Sequence, residues 1–186
     1  MSNKTFITGG ARSGKSTYAE QLAKTSSGKV TYIATAIPFD DGMKDRIKKH
    51  RQQRPSEWAT IECYRDFESL TEHPDFLSAD TILLDCLTIL ITNQMMDFNV
   101  DYEQISMDEF NRIESEIQKQ IDTLLKILED SDKEIIIVAN ELGLGLVPPY
   151  RMGRMYRDIA GRVNQKVAAW ADHVYFTVSG IPMKIK

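Results

Sequence analysis

Residues Lys4–Ser16, KTFITGGARSGKS, decide the fold of this chain. The segment Lys4–Thr8 is rich in β-branched and aromatic residues and runs into a glycine pair, which predicts a buried strand entering a turn. The residues that follow match G-x-x-x-x-G-K-[ST], and a helix is predicted from about Gly14 to Lys24. Glycines at this spacing let successive backbone N–H groups point into one concavity beside a helix N-terminus, where a phosphate is stabilised. We therefore expect a strand, a phosphate-binding loop and a helix.

Two side chains of the predicted loop have chemical roles of their own. The residues expected to surround the phosphates are Gly9, Gly10, Ala11, Arg12, Ser13, Gly14, Lys15 and Ser16. Among them Lys15 reaches the β- and γ-phosphates of a nucleoside triphosphate, and Ser16 offers a hydroxyl to Mg²⁺. Because the metal ion bridges those phosphates and offsets charge in the transition state, the pattern predicts phosphate-transfer chemistry.

Further apolar runs predict the rest of a sheet, and they are Val30–Ala34, Thr81–Leu84, Ile135–Ala139 and His173–Val178. Continuous apolar runs are typical of parallel strands whose two faces are both covered. Apolar residues recur every three or four positions through Met107–Asp130, which predicts an amphipathic helix, and a last helix is expected over Arg151–Ala171. Alternating strands and helices with right-handed crossovers predict an α/β fold of the P-loop NTPase type. We expect a single catalytic domain over residues 1–186, with a doubly wound, mostly parallel, RecA-like sheet flanked by helices.

The composition of the 186 residues excludes several other classes of protein. A hydrophobic content of 42% and a charged content of 27% are ordinary for a globular domain and argue against disorder. No apolar run approaches the roughly 18 residues of a membrane span, and Cys63 and Cys86 provide no disulfide framework. The net charge of −4 argues against a general nucleic-acid binder, which presents a basic face. We therefore expect a cytoplasmic protein with no membrane span and no nucleic-acid partner.

A carboxylate is also needed to hold the water shell of the metal ion, and the sequence offers two candidates. Asp85 follows the run Thr81–Leu84, and Glu141 follows the run that ends near Asn140, so both are placed where open α/β sheets bind their ligands. Asp85 is the first candidate, although a carboxylate in that position can instead cap the helix that follows. The sequence leaves open both this alternative and the choice between Asp85 and Glu141.

Basic residues are concentrated in the segment Lys44–Arg54, where six bases accompany one acid. On a helix Arg46, His50 and Arg54 would share one face, because they recur every four residues. The neighbouring cations disfavour the imidazolium form, which leaves a neutral nitrogen of His50 available as a nucleophile near pH 7. A phosphate-binding role for His50 without covalent chemistry, or a solvated helix face, are the alternatives.

Several blocks of residues recur in one order along nearly the whole chain. They are TGGARSGKS at Thr8–Ser16, YIATA at Tyr32–Ala36, Asp41–His50 with Arg54, Pro55 and Trp58, LDCLT at Leu84–Thr88, NELGLGLVP at Asn140–Pro148, RDIAGRVNQ at Arg157–Gln165, and Val178, Ser179 and Gly180. Together these blocks resemble the bifunctional adenosylcobinamide kinase/adenosylcobinamide-phosphate guanylyltransferase family of cobalamin biosynthesis. A phosphate-binding loop alone would indicate only a superfamily.

The resemblance implies two reactions on one scaffold. ATP or GTP phosphorylates the aminopropanol hydroxyl of adenosylcobinamide, and GMP from GTP is then transferred to that phosphate through a guanylylated histidine, which is His50 here. The alternatives are a small-molecule P-loop kinase without nucleotidyl transfer, and a nucleotide-dependent switch or nucleic-acid-binding ATPase. Because Lys49 precedes His50 where some members have paired histidines, His50 is the one imidazole left in this role.

The resemblance also implies a set of ligand contacts and an assembly. Besides the loop, the nucleotide contacts fall on Ala34, Thr35, Ala36, Arg51, Gln52, Gln53, Arg54, Glu62 and Asp85. Mg²⁺ is expected at Ser16 and Asp85, the latter standing where some members carry Glu. The family resemblance further implies a homotrimer.

Overall fold

A single sheet organises the part of the chain that the computed structural model describes, which is residues 3–26, 28–37, 41–42, 44, 51–52 and 54–186. Its seven strands within these residues are β1 (Lys4–Gly9), β2 (Val30–Ala34), β3 (Ala59–Glu62), β4 (Thr81–Asp85), β5 (Glu134–Asn140), β6 (His173–Val178) and β7 (Ile181–Lys184). The helices described are α1 (Lys15–Thr25), α2 (Pro74–Leu77), α3 (Leu87–Asp97), α4 (Met107–Asp130) and α5 (Arg151–Trp170), with a 3₁₀ helix at Phe67–Glu72. The strand order is β3-β2-β4-β5-β1-β6-β7, and neighbouring strands are parallel except for the antiparallel pair β6 and β7.

Both faces of the sheet are covered, which explains the continuous apolar strands. On one face Ile7 and Leu83 are buried with Ala19 of α1. On the other face Phe6 and Ile82 are buried in a larger core to which α3, α4 and α5 contribute. Successive residues of a strand point to opposite faces, so the neighbours Phe6 and Ile7 belong to different layers of the core.

The predicted strands, the helix after the glycine-rich loop and the helices over Met107–Asp130 and Arg151–Ala171 are confirmed, with small shifts at their ends, while the helix face of Arg46 and His50 lies outside the described residues. β1 extends to Gly9, β4 extends to Asp85, β5 gains one residue at each end, and α5 ends at Trp170. Five of the described elements are absent from the sequence prediction, namely β3, β7, α2, α3 and the 3₁₀ helix. β3 and β7 are four-residue strands at the sheet edges with partly exposed side chains, so neither forms a continuous apolar run. α3 is buried on several sides and therefore lacks the one-sided period of a surface helix.

The long helix α4 follows its predicted period. All six apolar residues of the pattern are buried, and they are Phe110, Ile113, Ile117, Ile121, Leu124 and Leu128. The helix begins after Ser106, whose hydroxyl oxygen accepts a hydrogen bond of 3.1 Å from the N–H of Glu109. Although α4 has 24 residues, neither it nor any other helix in the described part of the chain is long and apolar enough to cross a bilayer.

Candidate functional site

The loop between β1 and α1 needs glycine at two positions because other chain segments approach its backbone. A Cβ atom on Gly9 would collide with the carbonyl oxygen of Thr177 and would lie 2.8 Å from the Ser13 hydroxyl oxygen. Gly14 has φ +94, a left-handed conformation that side chains disfavour, and a Cβ there would lie 3.0 Å from the Cα of Gly180. The glycines that define the sequence pattern thus let the loop turn tightly against the end of the sheet.

Lys15 points back over the loop that precedes it. Its ammonium donates a 2.7 Å hydrogen bond to the carbonyl oxygen of Gly10, and the residue is only 7% exposed. The N–H of Ser13 approaches the same carbonyl at 3.3 Å. Ser16 follows in the first turn of α1, half-buried, while Ala11 and Arg12 at the tip of the loop are exposed. The loop therefore holds a cation and the start of a helix at one point, which is the arrangement that stabilises a phosphate.

β5 adjoins this loop on one side. Gly9 is in register with Asn140, and the N–H of Glu141 donates a 2.8 Å hydrogen bond to the carbonyl of Gly9. The carboxylate of Glu141 accepts a hydrogen bond from the N–H of Gly143 in its own loop. Glu141 thus lies beside the phosphate-binding loop through its backbone, while its side chain stabilises the turn that follows.

Asp85 ends β4, which is two strands from β1 because β5 lies between them. With neighbouring strands about 4.8 Å apart, the Asp85 backbone lies about 10 Å from that of β1 across the sheet. The N-cap residue of α3 is Cys86, and it makes no side-chain cap hydrogen bond, so the alternative of Asp85 as a helix cap is wrong. The carboxylate is half-buried and lies at the same edge of the sheet as the loop.

Tyr32 of β2 joins Asp85 to Arg54. The phenol interacts electrostatically with the Asp85 carboxylate, and the Arg54 guanidinium carbon lies 3.5 Å from the centre of the Tyr32 ring. Burial and, next, the negative charge of Asp85 raise the pKa of Tyr32 well above its ordinary value of 10.0. The phenol therefore stays protonated and can donate a hydrogen bond. Sequence reasoning assigned no role to Tyr32, and its one signal was its place in the YIATA block.

Thr35 lies directly after β2, and its hydrogen bonds link the ends of β2 and β4. Its hydroxyl donates to the carbonyl of Cys86 at 2.8 Å and accepts from the N–H of Cys86 at 2.9 Å. Asn93 donates to the Thr35 carbonyl at 2.6 Å. Because the side chain of Thr35 is buried and used within the protein, a contribution to nucleotide binding from Ala34, Thr35 and Ala36 would come from their backbone.

The pKa of the Cys86 thiol reflects the charged groups near it. Burial and, next, the charge of Asp85 raise the pKa of the Cys86 thiol to about 11, while the positive charge of Lys15 lowers it in part. Both charges therefore act on the Cys86 thiol, which lies between the ends of the two strand–helix units. The Cys86 thiol stays protonated at neutral pH and is not a nucleophile there.

The remaining predicted contacts are more distant or lie outside the described residues. Glu62 ends the edge strand β3, which is four strands from β1 and thus about 19 Å away across the sheet. Arg51 and Gln52 are exposed. His50 and Gln53 lie outside the residues that the structure describes. The fold thus brings together the loop Gly9–Ser16, Ala34, Asp85 and Arg54 at one edge, with Glu62 at the far end of that edge.

Comparison with known proteins identifies relatives that match nearly the whole chain. The family model described as cobinamide kinase / cobinamide phosphate guanyltransferase matches residues 5–185. The bifunctional adenosylcobalamin biosynthesis protein CobU of Escherichia coli is 43% identical over 181 residues, which are 97% of this chain and 98% of that protein. The protein of the same name from Salmonella typhimurium is 42% identical with the same coverage. CobP of Pseudomonas aeruginosa, also named a bifunctional adenosylcobalamin biosynthesis protein, is 39% identical over 97% of this chain and 96% of its own length.

A solved structure matches the fold at low sequence identity. A KaiC-like protein from Pyrococcus horikoshii superposes with a TM-score of 0.50 and 13% identity, covering 94% of this chain and 70% of that one. At this identity the likeness concerns the fold alone, and it agrees with the predicted RecA-like arrangement of the sheet.

Proposed function

Because this chain belongs to the cobinamide kinase / cobinamide phosphate guanyltransferase family, we propose that it phosphorylates adenosylcobinamide with ATP or GTP and then transfers GMP from GTP to the new phosphate. The products of the second step are adenosylcobinamide-GDP and pyrophosphate. The observation that carries the proposal is the loop Gly9–Ser16, folded at the carboxyl edge of a parallel sheet with the Lys15 ammonium buried inside it. Ligands of open α/β sheets bind at this edge.

In the kinase step the loop holds the phosphates while a hydroxyl attacks. Backbone N–H groups of Gly9–Ser16 orient the β- and γ-phosphates, and Lys15 exchanges the carbonyl of Gly10 for a phosphate oxygen. The oxygen of the corrinoid hydroxyl forms a bond to the γ-phosphorus and releases its proton to water, the bond from that phosphorus to the bridging oxygen breaks, and the nucleoside diphosphate leaves. Such a transfer depends on position and charge stabilisation more than on covalent help from the protein.

The donor groups present suit Mg²⁺. The Ser16 hydroxyl and the Asp85 carboxylate lie at one edge of the sheet, and Mg²⁺ is usually bound by one or two carboxylates together with substrate phosphates. No cluster of three or more His, Cys, Asp or Glu that could hold a metal occurs among the described residues. A bound Mg²⁺ would offset the charge of the phosphates. Tyr32 would keep the Asp85 carboxylate in place for it.

In the guanylyl step we assign His50 as the nucleophile. A ring nitrogen of His50 bonds to the α-phosphorus of GTP, the bond from that phosphorus to the bridging oxygen breaks, and pyrophosphate leaves. A phosphate oxygen of adenosylcobinamide phosphate then attacks the same phosphorus, the P–N bond breaks and His50 is regenerated. His50 lies four residues before Arg54, and Arg54 is held over Tyr32 at the nucleotide edge of the sheet.

We further propose that the protein forms a homotrimer in the cytoplasm. The trimer is supported by the family resemblance and by an exposed apolar loop that follows β5. The exposed residues are Leu144, Leu146, Val147 and Tyr150, with Leu146 96% exposed. A single chain would leave this surface in water, whereas a neighbouring subunit beside the phosphate-binding loop would cover it and supply a wall for a bulky corrinoid.

Labelling with GTP that carries the isotope in its α-phosphate tests the two-step mechanism. We expect the protein to retain acid-labile label and peptide mapping to locate it at His50. His50→Ala should abolish labelling and guanylyl transfer while leaving much of the kinase rate. Lys15→Ala should lower both activities and weaken nucleotide binding, because both reactions use the phosphate-binding loop.

The matched control is His173→Ala. His173 begins β6 at the amino edge of the sheet, opposite the phosphate-binding loop, so this variant should label like the wild type. Equal loss of both activities in folded His50→Ala would contradict the division of labour. A wild-type protein that phosphorylates adenosylcobinamide but retains no label would identify a kinase without nucleotidyl transfer.

A further inference from the structure

The turn between β6 and β7 contacts the phosphate-binding loop, although more than 160 residues separate the two in sequence. The N–H of Gly180 donates a 2.8 Å hydrogen bond to the carbonyl oxygen of Ser13. The Cα of Gly180 also lies close to Gly14, because a Cβ atom added to Gly14 would be only 3.0 Å from it. Near the end of β6, two residues before the turn, the carbonyl of Thr177 packs against Gly9. The terminal hairpin therefore touches the loop at its beginning and at its end.

This contact determines which way one peptide group of the loop faces. The carbonyl of Ser13 and the N–H of Gly14 belong to the same planar, trans peptide unit, and in such a unit they point in opposite directions. When Gly180 holds the Ser13 carbonyl on the hairpin side, the Gly14 N–H is turned away from the hairpin. The described residues supply no hydrogen-bond acceptor to that N–H.

We propose that Gly180 is a positioning residue for nucleotide binding: its N–H fixes the Ser13–Gly14 peptide so that the Gly14 N–H faces the bound phosphates. The proposal rests on the proposed function only in requiring that the loop binds a nucleotide. On the other side of the loop, Glu141 fixes the Gly9 carbonyl in the same manner, at 2.8 Å. The loop is thus held between the continuation of β5 and the terminal hairpin.

Glycine is suited to this position because of the backbone conformation there. Gly180 has φ +83, in the left-handed region, and a Cβ on it would meet nothing within 4 Å. Gly180→Ala therefore strains the turn without causing a collision, and it should shift the donor away from Ser13. We expect the dissociation constant for GTP to rise about tenfold, which is the order of effect of one hydrogen bond to a charged group.

A control for substitution in a left-handed turn remote from the loop is Asp132→Ala. Asp132 has φ +52 in the turn between α4 and β5, at the amino edge of the sheet and far from the loop. Of these two variants, only Gly180→Ala should weaken GTP binding. In steady-state kinase assays the KM for nucleotide should rise with the dissociation constant while kcat changes less than about twofold, because the Gly14 N–H binds the ground state and the transition state alike.

A backbone substitution tests the donor itself and remains available if Gly180→Ala does not fold. Replacing the Gly180 amide by an ester, through semisynthesis of the C-terminal segment, removes the N–H without changing any side chain. The control ester is at Ile185, whose N–H makes a hydrogen bond of the same 2.8 Å length to the carbonyl of Val174 within the hairpin. We expect weaker GTP binding for the Gly180 ester alone.

Two results would overturn the proposal. One is unchanged GTP affinity in the Gly180 ester, and the other is an equal loss of affinity in the Gly180 and Ile185 esters, which would indicate general loosening of the hairpin. GTP binding is measured without any corrinoid. If the wild type binds GTP but lacks both cobinamide activities, the proposed function fails while the role of Gly180 is still tested.

Discussion

Tyr32 contacts both Asp85 and Arg54, two residues that the sequence placed in the site for separate reasons. Its hydroxyl group interacts electrostatically with the carboxylate, and its ring lies under the guanidinium at 3.5 Å. At 5% exposure the ring also belongs to the core beneath α1. One side chain therefore connects the carboxylate proposed for metal binding to the end of the basic segment that contains His50.

Tyr32→Phe separates these two contacts. We expect the kinase kcat to fall about 5- to 10-fold, because loss of the hydroxyl removes a polar partner of the Asp85 carboxylate, while labelling at His50 changes little since the ring still supports Arg54. Tyr32→Leu should lower both activities. The effect should not change with pH up to about 10, because the raised pKa of Tyr32 keeps its phenol protonated throughout that range.

The measurements are single-turnover kinase assays and α-phosphate labelling of the same three proteins. Identical losses of both activities in Tyr32→Phe and Tyr32→Leu would show that Tyr32 supports the fold and does not connect two parts of the site.

Among the elements, α4 shows the apolar periodicity of a helix in its sequence, whereas α3 does not. α4 lies on the surface of one core with a single buried face, so its apolar residues repeat with the helical period that the sequence displays. α3 is buried on several sides, including Leu87, Thr88 and Asn93, and its sequence carries no such period. The apolar period predicts a helix from sequence only when one of its faces is buried and the other is exposed.

Ser106→Ala tests how the start of α4 is fixed. The Ser106 hydroxyl oxygen accepts from the N–H of Glu109, so its removal should cost about 1 kcal/mol of folding free energy. In a domain of this size that corresponds to a fall in Tm of about 2–4 °C. Ser106→Asp retains an acceptor and adds a favourable charge at the helix N-terminus, so it should be at least as stable as the wild type. The Tm values are measured by thermal unfolding monitored with circular dichroism. Equal Tm values for the alanine variant and the wild type would contradict the role of the Ser106 cap.

At the scale of the whole molecule, the strand order determines which groups share the site. β5 separates β1 from β4, so Asp85 lies two strands from the loop, and the terminal hairpin adjoins the loop from the opposite side. The exposed loop 141–150 begins at Glu141, directly beside Gly9. A neighbouring subunit that covered this loop would therefore border the site.

Leu146→Asp tests the proposed trimer. In sedimentation experiments the wild type should behave as three times the mass of one chain, and Leu146→Asp should dissociate to smaller species because it buries a charge in an apolar contact. The control is Leu77→Asp, also at an exposed leucine (59% exposed) but at the end of α2 outside this loop, and it should remain a trimer. A wild-type monomer with both activities would refute the proposal.

The sequence by itself determined the strand, loop and helix at Lys4–Thr25, the buried strands of the parallel sheet and the face of α4, because each depends on residues within a few positions of one another. Family resemblance added His50 and the other nucleotide contacts, of which His50 and Gln53 lie outside the described residues. Only the tertiary structure decided the rest: that Asp85 is not a helix cap, that Tyr32 joins Asp85 to Arg54, and that Gly180 holds the loop. These contacts join residues far apart in the chain, and they arise from the order in which the core packs its strands, which no local spacing of residues encodes.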